Sequence, residues 1–142
     1  MTLEQDKQIA QLLTETKTIA LEIASPKPER ASNEIVHFLL AEGYDVYPVN
    51  PGKAGETIAG RVVYGDLKDI PVGIDMVDIF RRSDAVEPIV SRAIAIQAKA
   101  IWMQLGVINN QASELALDAG LSVVMNRCPA IEIPRLRRLG LM

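Results

Sequence analysis

TIALEIASPKPERASNEIVHFLLAEGYDVYPVN, residues 18–50, decides the fold. The apolar run TIALEIA (18–24) is too short for a helix and reads as a buried strand. SPKPERAS (25–32) is a polar, proline-broken loop. Residues 33–42 then carry Ile35, Val36, Phe38, Leu39 and Leu40, with Ser32 at the N-cap position and Gly43 at the C′ position, the signature of a helix. DVYPVN (45–50) is a second strand. A strand, a helix and a strand within one such stretch form a parallel pair joined by a right-handed crossover.

The same alternation runs outward in both directions. Residues 3–16 place Leu3, Ile9, Leu12 and Leu13 near helical spacing and predict an amphipathic helix lying on the domain. Beyond the glycine-rich loop 50–60 the reading is a short strand at 62–64, a turn or short helix at DLKDIP and a strand at 75–80. A helix over 84–98, a strand at 100–106, a helix over 110–119 and a last strand at 121–126 follow. Nothing is assigned after that strand. Apolar strands alternating with helices predict an α/β fold, Rossmann-like and doubly wound, with a mainly parallel sheet flanked by helices and an added N-terminal helix. No repeat or linker breaks the chain, so one domain is expected over 1–142.

The 142 residues are 49% hydrophobic and 23% charged, a globular composition long enough to bury a core without staples. A net charge of −3 excludes a chain-wide basic field for nucleic acid. No apolar run reaches membrane-spanning length, the polar N-terminus does not resemble a leader, and a single cysteine suits a reducing, cytoplasmic setting. One histidine and one cysteine argue against a multi-ligand zinc site.

Ligands of open α/β sheets bind beyond the carboxyl ends of the strands. Lys27, Arg30, Lys53, Arg81, Arg82 and Arg127 all fall there, against one acid, Glu29. In an acidic chain that local excess points to an anionic, phosphorylated ligand, with helix N-termini adding N–H donors. The nicotinamide dinucleotide signature is absent: residues 22–32 contain no glycine, and Asn50 stands where an acid is required. No nucleophile–base pair is evident. His37 lies along a helix, Cys128 reads as a small buried apolar residue, Asp75 as a strand-entry residue, Asp78 as structural, and Trp102 and Met103 as core.

Taken in order, SPKPERAS, YPVNPGKAGETIAG, DIFRRSDAV, AIAIQAKAIWMQLGVIN and GLSVVMNRCPAIEIPRL resemble the small stand-alone CoA-binding proteins, whose fold is similar to the CoA-binding domain that begins the succinyl-CoA synthetase α-subunit. The resemblance covers about residues 16–136. It implies CoA or an acyl-CoA as ligand. It places Ser25, Lys27, Arg30 and Ser32 near the diphosphate, Asn50, Pro51 and Lys53 near the adenosine and its phosphate, and Phe80, Arg81 and Ser83 along the pantetheine path. Gln104 and Gly106 line the pocket from the fourth strand end. The synthetase domain that carries the phosphorylated histidine has no counterpart here, so binding without catalysis is the expectation. The alternatives are an enzyme acting on CoA thioesters and a nucleotide-binding or interaction module that has lost CoA. Oligomeric state is left open.

The chain departs from the family at one point. Where the family commonly reads apolar-Gly-x-Ser at the end of strand one, this sequence has Glu22, Ile23, Ala24 and Ser25. Strict alternation would send Ile19, Leu21 and Ile23 to one face and Ala20, Glu22 and Ala24 to the other. Glu22 then needs water or a cation, with Lys27 or Arg30 the nearest candidates in sequence, and Ile23 adds bulk where backbone should approach phosphate.

Overall fold

A computed structural model describes residues 2–142. The elements in chain order are α1 (Asp6–Glu15), β1 (Thr18–Glu22), α2 (Ala31–Ala41), β2 (Asp45–Val49), β3 (Thr57–Ile58), β4 (Arg61–Val62), β5 (Met76–Ile79), α3 (Glu87–Ala95), β6 (Ala100–Met103), α4 (Asn110–Asp118), β7 (Ser122–Val124) and α5 (Pro129–Arg138). Short 3₁₀ turns precede β5 at Leu67–Asp69 and α3 at Ser83–Ala85.

Five strands form one parallel sheet in the order β2-β1-β5-β6-β7. The chain first winds from β1 outward to β2, then returns past β1 and continues through β5, β6 and β7. The winding therefore reverses between β1 and β5, and this is the crevice where such sheets take ligands. The α/β, doubly wound expectation is met.

Each face of the sheet has its own core. Ile19, Leu21, Val46, Met76 and Trp102 pack against α1, α2 and α5 through Ile9, Leu13, Val36, Leu39, Ile133 and Leu136. Ala20, Val77, Ile79, Ile101 and Met103 pack against α3 and α4 through Ile89, Val90, Ala93, Ala112 and Ala116. The alternation of the pleat separates these two sets.

Four local differences from the sequence reading have physical causes. The first strand stops at Glu22 because Ile23 turns into the left-handed region, with φ 50°. That twist also reverses the faces: Ile23 joins the α3–α4 side and Ala24 the α2 side. Helix α2 starts at Ala31 with Arg30 as N-cap, so Ser32 sits inside the first turn. The short strand expected at 62–64 is part of a hairpin, β3–β4, and Tyr64 then makes a parallel bridge to Val49 on the edge of β2. Helix α5 has no counterpart in the sequence reading. It opens on Pro129, a favoured first helical position, and runs through Pro134.

Candidate functional site

The carboxyl ends of β1, β2, β5, β6 and β7 open on a cleft of about 860 Å³. Its foundation is a set of short ties between the β1 and β2 ends. Asn50 Nδ2 donates to the Ala24 carbonyl (2.8 Å), and its Oδ1 accepts from the Gly52 amide (3.0 Å). The Ser25 amide donates to Ser32 Oγ (3.1 Å), and Asn33 Nδ2 donates to the Ser25 carbonyl (2.9 Å). The loop 25–32 is thereby fastened to the first turn of α2. Arg30 offers no side-chain oxygen to cap that helix; its own amide bonds the Lys27 carbonyl (3.1 Å) and the Asn33 amide bonds the Arg30 carbonyl (3.1 Å), which leaves the Ala31 and Ser32 amides for water or a ligand. Ser32 Oγ accepts from Ser25, and its own O–H remains a donor.

Of the sequence-predicted residues, Ser25, Lys27, Arg30, Ser32, Asn50, Lys53, Phe80, Arg81 and Gln104 line this one cleft. Pro51, Ser83 and Gly106 do not. Ser83 Oγ accepts from the Ile108 amide (3.0 Å) and donates to the Gly106 carbonyl (3.2 Å), which ties the loops after β5 and β6 together. The cleft also includes Ile23, Ala31, Glu34, Ile35, Arg82, Leu105, Val107, Cys128 and Ala130. Arg82 and Cys128 are visible in the sequence as strand-end residues. Glu34, Ile35 and Ala130 are not, because they follow from how α2 and α5 are docked.

Five cations thus face one glutamate across the cleft. Lys27, Arg30, Lys53 and Arg81 make no ion pair among the described residues, while Arg82 holds Asp84 at 3.1 Å in a largely solvated pair. Arg127 does not belong to this group. It is drawn away to Glu132 (2.9 Å) on α5 and to the Glu4 carbonyl (3.4 Å).

Two unpaired acids are buried in the sheet, Glu22 at the end of β1 and Asp78 within β5. Glu22 is 1% exposed, one of its oxygens has no partner, and neither Lys27 nor Arg30 reaches it. Burial pushes its carboxyl up to about 7, aided by the negative charge of Asp66 and opposed by Arg92, the Ile23 amide and Arg81. Asp78, facing the opposite core beside Leu21 and Trp102, has no partner for either oxygen, and burial alone pushes it up to about 8. Both acids are held toward their neutral forms, so neither carries a full negative charge at neutral pH. Gln104 is 6% exposed, and its Oε1 also lacks a partner among the described residues. Asp75 acts at strand entry, accepting from the Lys17 (2.8 Å) and Thr18 (3.2 Å) amides. No three His, Cys, Asp or Glu side chains converge for a metal among the described residues, and no helix there is long and apolar enough to cross a membrane.

A family model described as CoA binding domain matches residues 17–134. The chain belongs to the CoA binding domain family. Among curated relatives of this family member, the uncharacterised protein YneT of Bacillus subtilis is 31% identical over 121 residues, which span 85% of this chain and 88% of YneT. A hypothetical protein from Pyrococcus horikoshii has a solved structure with a TM-score of 0.88 and 43% identity, covering 94% of this chain and 93% of that one. The structure of a Thermus thermophilus protein superimposes with a TM-score of 0.89 at 30% identity, covering 94% of this chain and 99% of its own. The CoA-binding domain thus occupies almost the whole chain, and its strand ends form the cleft.

Proposed function

We propose that this protein binds CoA or an acyl-CoA in the cleft, with no catalytic step of its own. The observation that carries the reading is the convergence of Lys27, Arg30, Lys53, Arg81 and Arg82, from three separate loops, around the uncapped N-terminus of α2. A diphosphate and a 3′-phosphate need several cations and N–H donors at once, and this arrangement supplies both. Phe80, Leu105 and Val107 offer an apolar path for the pantetheine arm. The missing dinucleotide signature disfavours NAD, and the single cysteine is consistent with work in a reducing cytoplasm.

Calorimetric titration with CoA tests the reading. Lys53→Ala and Arg30→Ala are each expected to weaken binding by more than about 1 kcal/mol, since a hydrogen bond to a charged group is worth about 1.5–3 kcal/mol. Unchanged affinity in both variants removes the site. Recovery of NAD rather than CoA from gently purified protein overturns the ligand.

A further inference from the structure

The cleft is graded across the sheet. Its cations stand at the ends of β2, β1 and β5, whereas the ends of β6 and β7 line it with Leu105, Val107, Cys128 and Ala130 and no charged side chain. Arg127, the cation that follows β7, is turned away to Glu132 and the Glu4 carbonyl.

Three of the seven large hydrophobic side chains that are exposed among the described residues belong to these same two strand ends: Leu105 (54%), Ile108 (47%) and Ile131 (52%). A single exposed leucine is ordinary on a protein surface. Leu105, however, is at once a wall of the cleft and more than half open to water. Its loop is also held in shape. The Gly106 amide donates to Asn126 Oδ1 (2.7 Å) after β7, and the Ile108 amide donates to Ser83 Oγ (3.0 Å) after β5. A ligand resting on this loop therefore does not have to order it first.

An occupant of the whole cleft must be anionic at one end and apolar at the other. With its phosphates among the cations, the arm of CoA crosses the sheet past Phe80 and Val107, and its sulfur arrives at the uncharged end. Free CoA stops there at a thiol. An acyl group on that sulfur continues the molecule as hydrocarbon.

We propose that the cleft selects acyl-CoAs with an uncharged aliphatic acyl chain over free CoA, the chain lying on Leu105 and reaching Ile108; the inference rests on the CoA reading above. The chain covers apolar surface that is otherwise wet, and the gain grows with each methylene. A methylene buried on all sides strengthens binding about fourfold. On this open rim, where one side of the chain stays in water, about twofold per methylene is expected. A carboxylate at the chain end forfeits that gain, because it leaves water for a surface to which β6 and β7 bring no cation.

Calorimetric titration of the full chain with CoA, butyryl-CoA, hexanoyl-CoA and succinyl-CoA tests this. Hexanoyl-CoA should bind at least tenfold more tightly than CoA, with butyryl-CoA between them. Succinyl-CoA should bind more weakly than butyryl-CoA, its match in chain length. Leu105→Ser combined with Ile108→Ser should lower the ratio of hexanoyl-CoA to CoA affinity at least fivefold. That ratio is read within one protein, so a general loss of affinity cannot imitate the effect. If the double variant folds poorly, the order of affinities in the parent still decides. Equal affinities for CoA and hexanoyl-CoA overturn the inference, as does a ratio that the folded double variant leaves unchanged. Tighter binding of succinyl-CoA than of butyryl-CoA overturns it too, and would put Arg82 at the chain end. When CoA itself binds, such a failure belongs to the acyl preference alone; when neither CoA nor any acyl-CoA binds, the CoA reading has failed as well.

Discussion

Ile23 is a β-branched residue at φ 50°, a conformation that costs an L-residue about 1–2 kcal/mol and that glycine adopts freely. It lines the cleft directly after β1, where ligand phosphates would meet backbone N–H groups. Glu22 beside it points to the α3–α4 core, so the obstruction is steric at Ile23 more than electrostatic at Glu22. Glu22→Val combined with Ile23→Gly is expected to bind CoA at least tenfold more tightly, about 1.4 kcal/mol, with Ile23→Gly alone giving most of the gain. Parallel titrations check it, and equal dissociation constants would show that the backbone already admits the ligand past the isoleucine. Much of the candidate cleft at this scale is legible in the sequence: side chains that follow a predicted strand must stand at its carboxyl end, and nine of the twelve residues chosen on that basis and on the family resemblance line the cleft. What is not legible is the turn at Ile23. Strict alternation puts Ile23 beside Leu21, and only the left-handed backbone reveals that it crosses to the other face.

Among the elements, the β3–β4 hairpin shows how local geometry holds a distant cation. Arg61 Nε donates to the Val46 carbonyl (2.8 Å), its guanidinium pairs with Asp45 and lies 5.0 Å from the Tyr47 ring centroid, and the hairpin is thereby anchored on β2. The Gly55 amide bonds the Val63 carbonyl and the Val63 amide the Glu56 carbonyl, which closes the loop that bears Lys53. The two turn residues, Ala59 (φ 52°) and Gly60 (φ 78°), are both left-handed, as a two-residue hairpin of the type I′ family requires. Alanine is the wrong residue for the first of these positions, because asparagine tolerates that conformation far better. Ala59→Asn is therefore expected to raise stability by about 0.5–1 kcal/mol, read as a higher urea midpoint at unchanged slope. A midpoint at or below that of the parent would mean that the turn is not under strain. The hairpin escapes the sequence reading because its strands are two residues each, and the glycines around it read simply as loop. Helix α5 escapes for a different reason. Pro134 lacks the N–H that would bond the Ala130 carbonyl, and two prolines in six residues read as a break. Tertiary contacts outweigh that cost: Ile133 and Leu136 are buried against the core, and Arg135 bonds both Asp6 on α1 and Glu132. Without α5 in view, nothing in the sequence shows that Glu132 withdraws Arg127 from the basic rim.

For the molecule as a whole, the two buried acids dictate how stability varies with pH. Glu22 rises from its ordinary 4.5 to about 7, and Asp78 from 3.8 to about 8. In both cases the folded protein keeps a proton that the unfolded chain has released. Between about pH 4 and pH 8 the unfolded state therefore binds fewer protons, and stability must fall as pH rises through that window and level off above it. A carboxyl raised by one pH unit corresponds to about 1.4 kcal/mol, so the combined loss is on the order of several kcal/mol, a large part of the stability of a domain this size. Asp6 and Asp75 act in the opposite sense. Both carboxyls are lowered, Asp6 chiefly by the hydrogen bond from Arg135. At Asp75 burial pulls upward, and the Lys17 and Thr18 amides together with Lys99 outweigh it. These two withdraw support only below the ordinary carboxylate range. Stability should thus peak near pH 4–5, on the acid side of neutrality. Urea titrations at pH 5, 6.5 and 8 are expected to show a falling midpoint for the parent. Asp78→Asn, which cannot ionise, should be less stable than the parent at pH 5, where it replaces a neutral acid that fits, yet lose much less between pH 5 and 8. A parent midpoint that holds steady or climbs over that range would mean that Glu22 and Asp78 reach water or a cation in solution. Glu22 directly precedes Ile23, which lines the cleft, so a phosphate held there as proposed would meet less opposing charge from Glu22 as the pH falls below about 7.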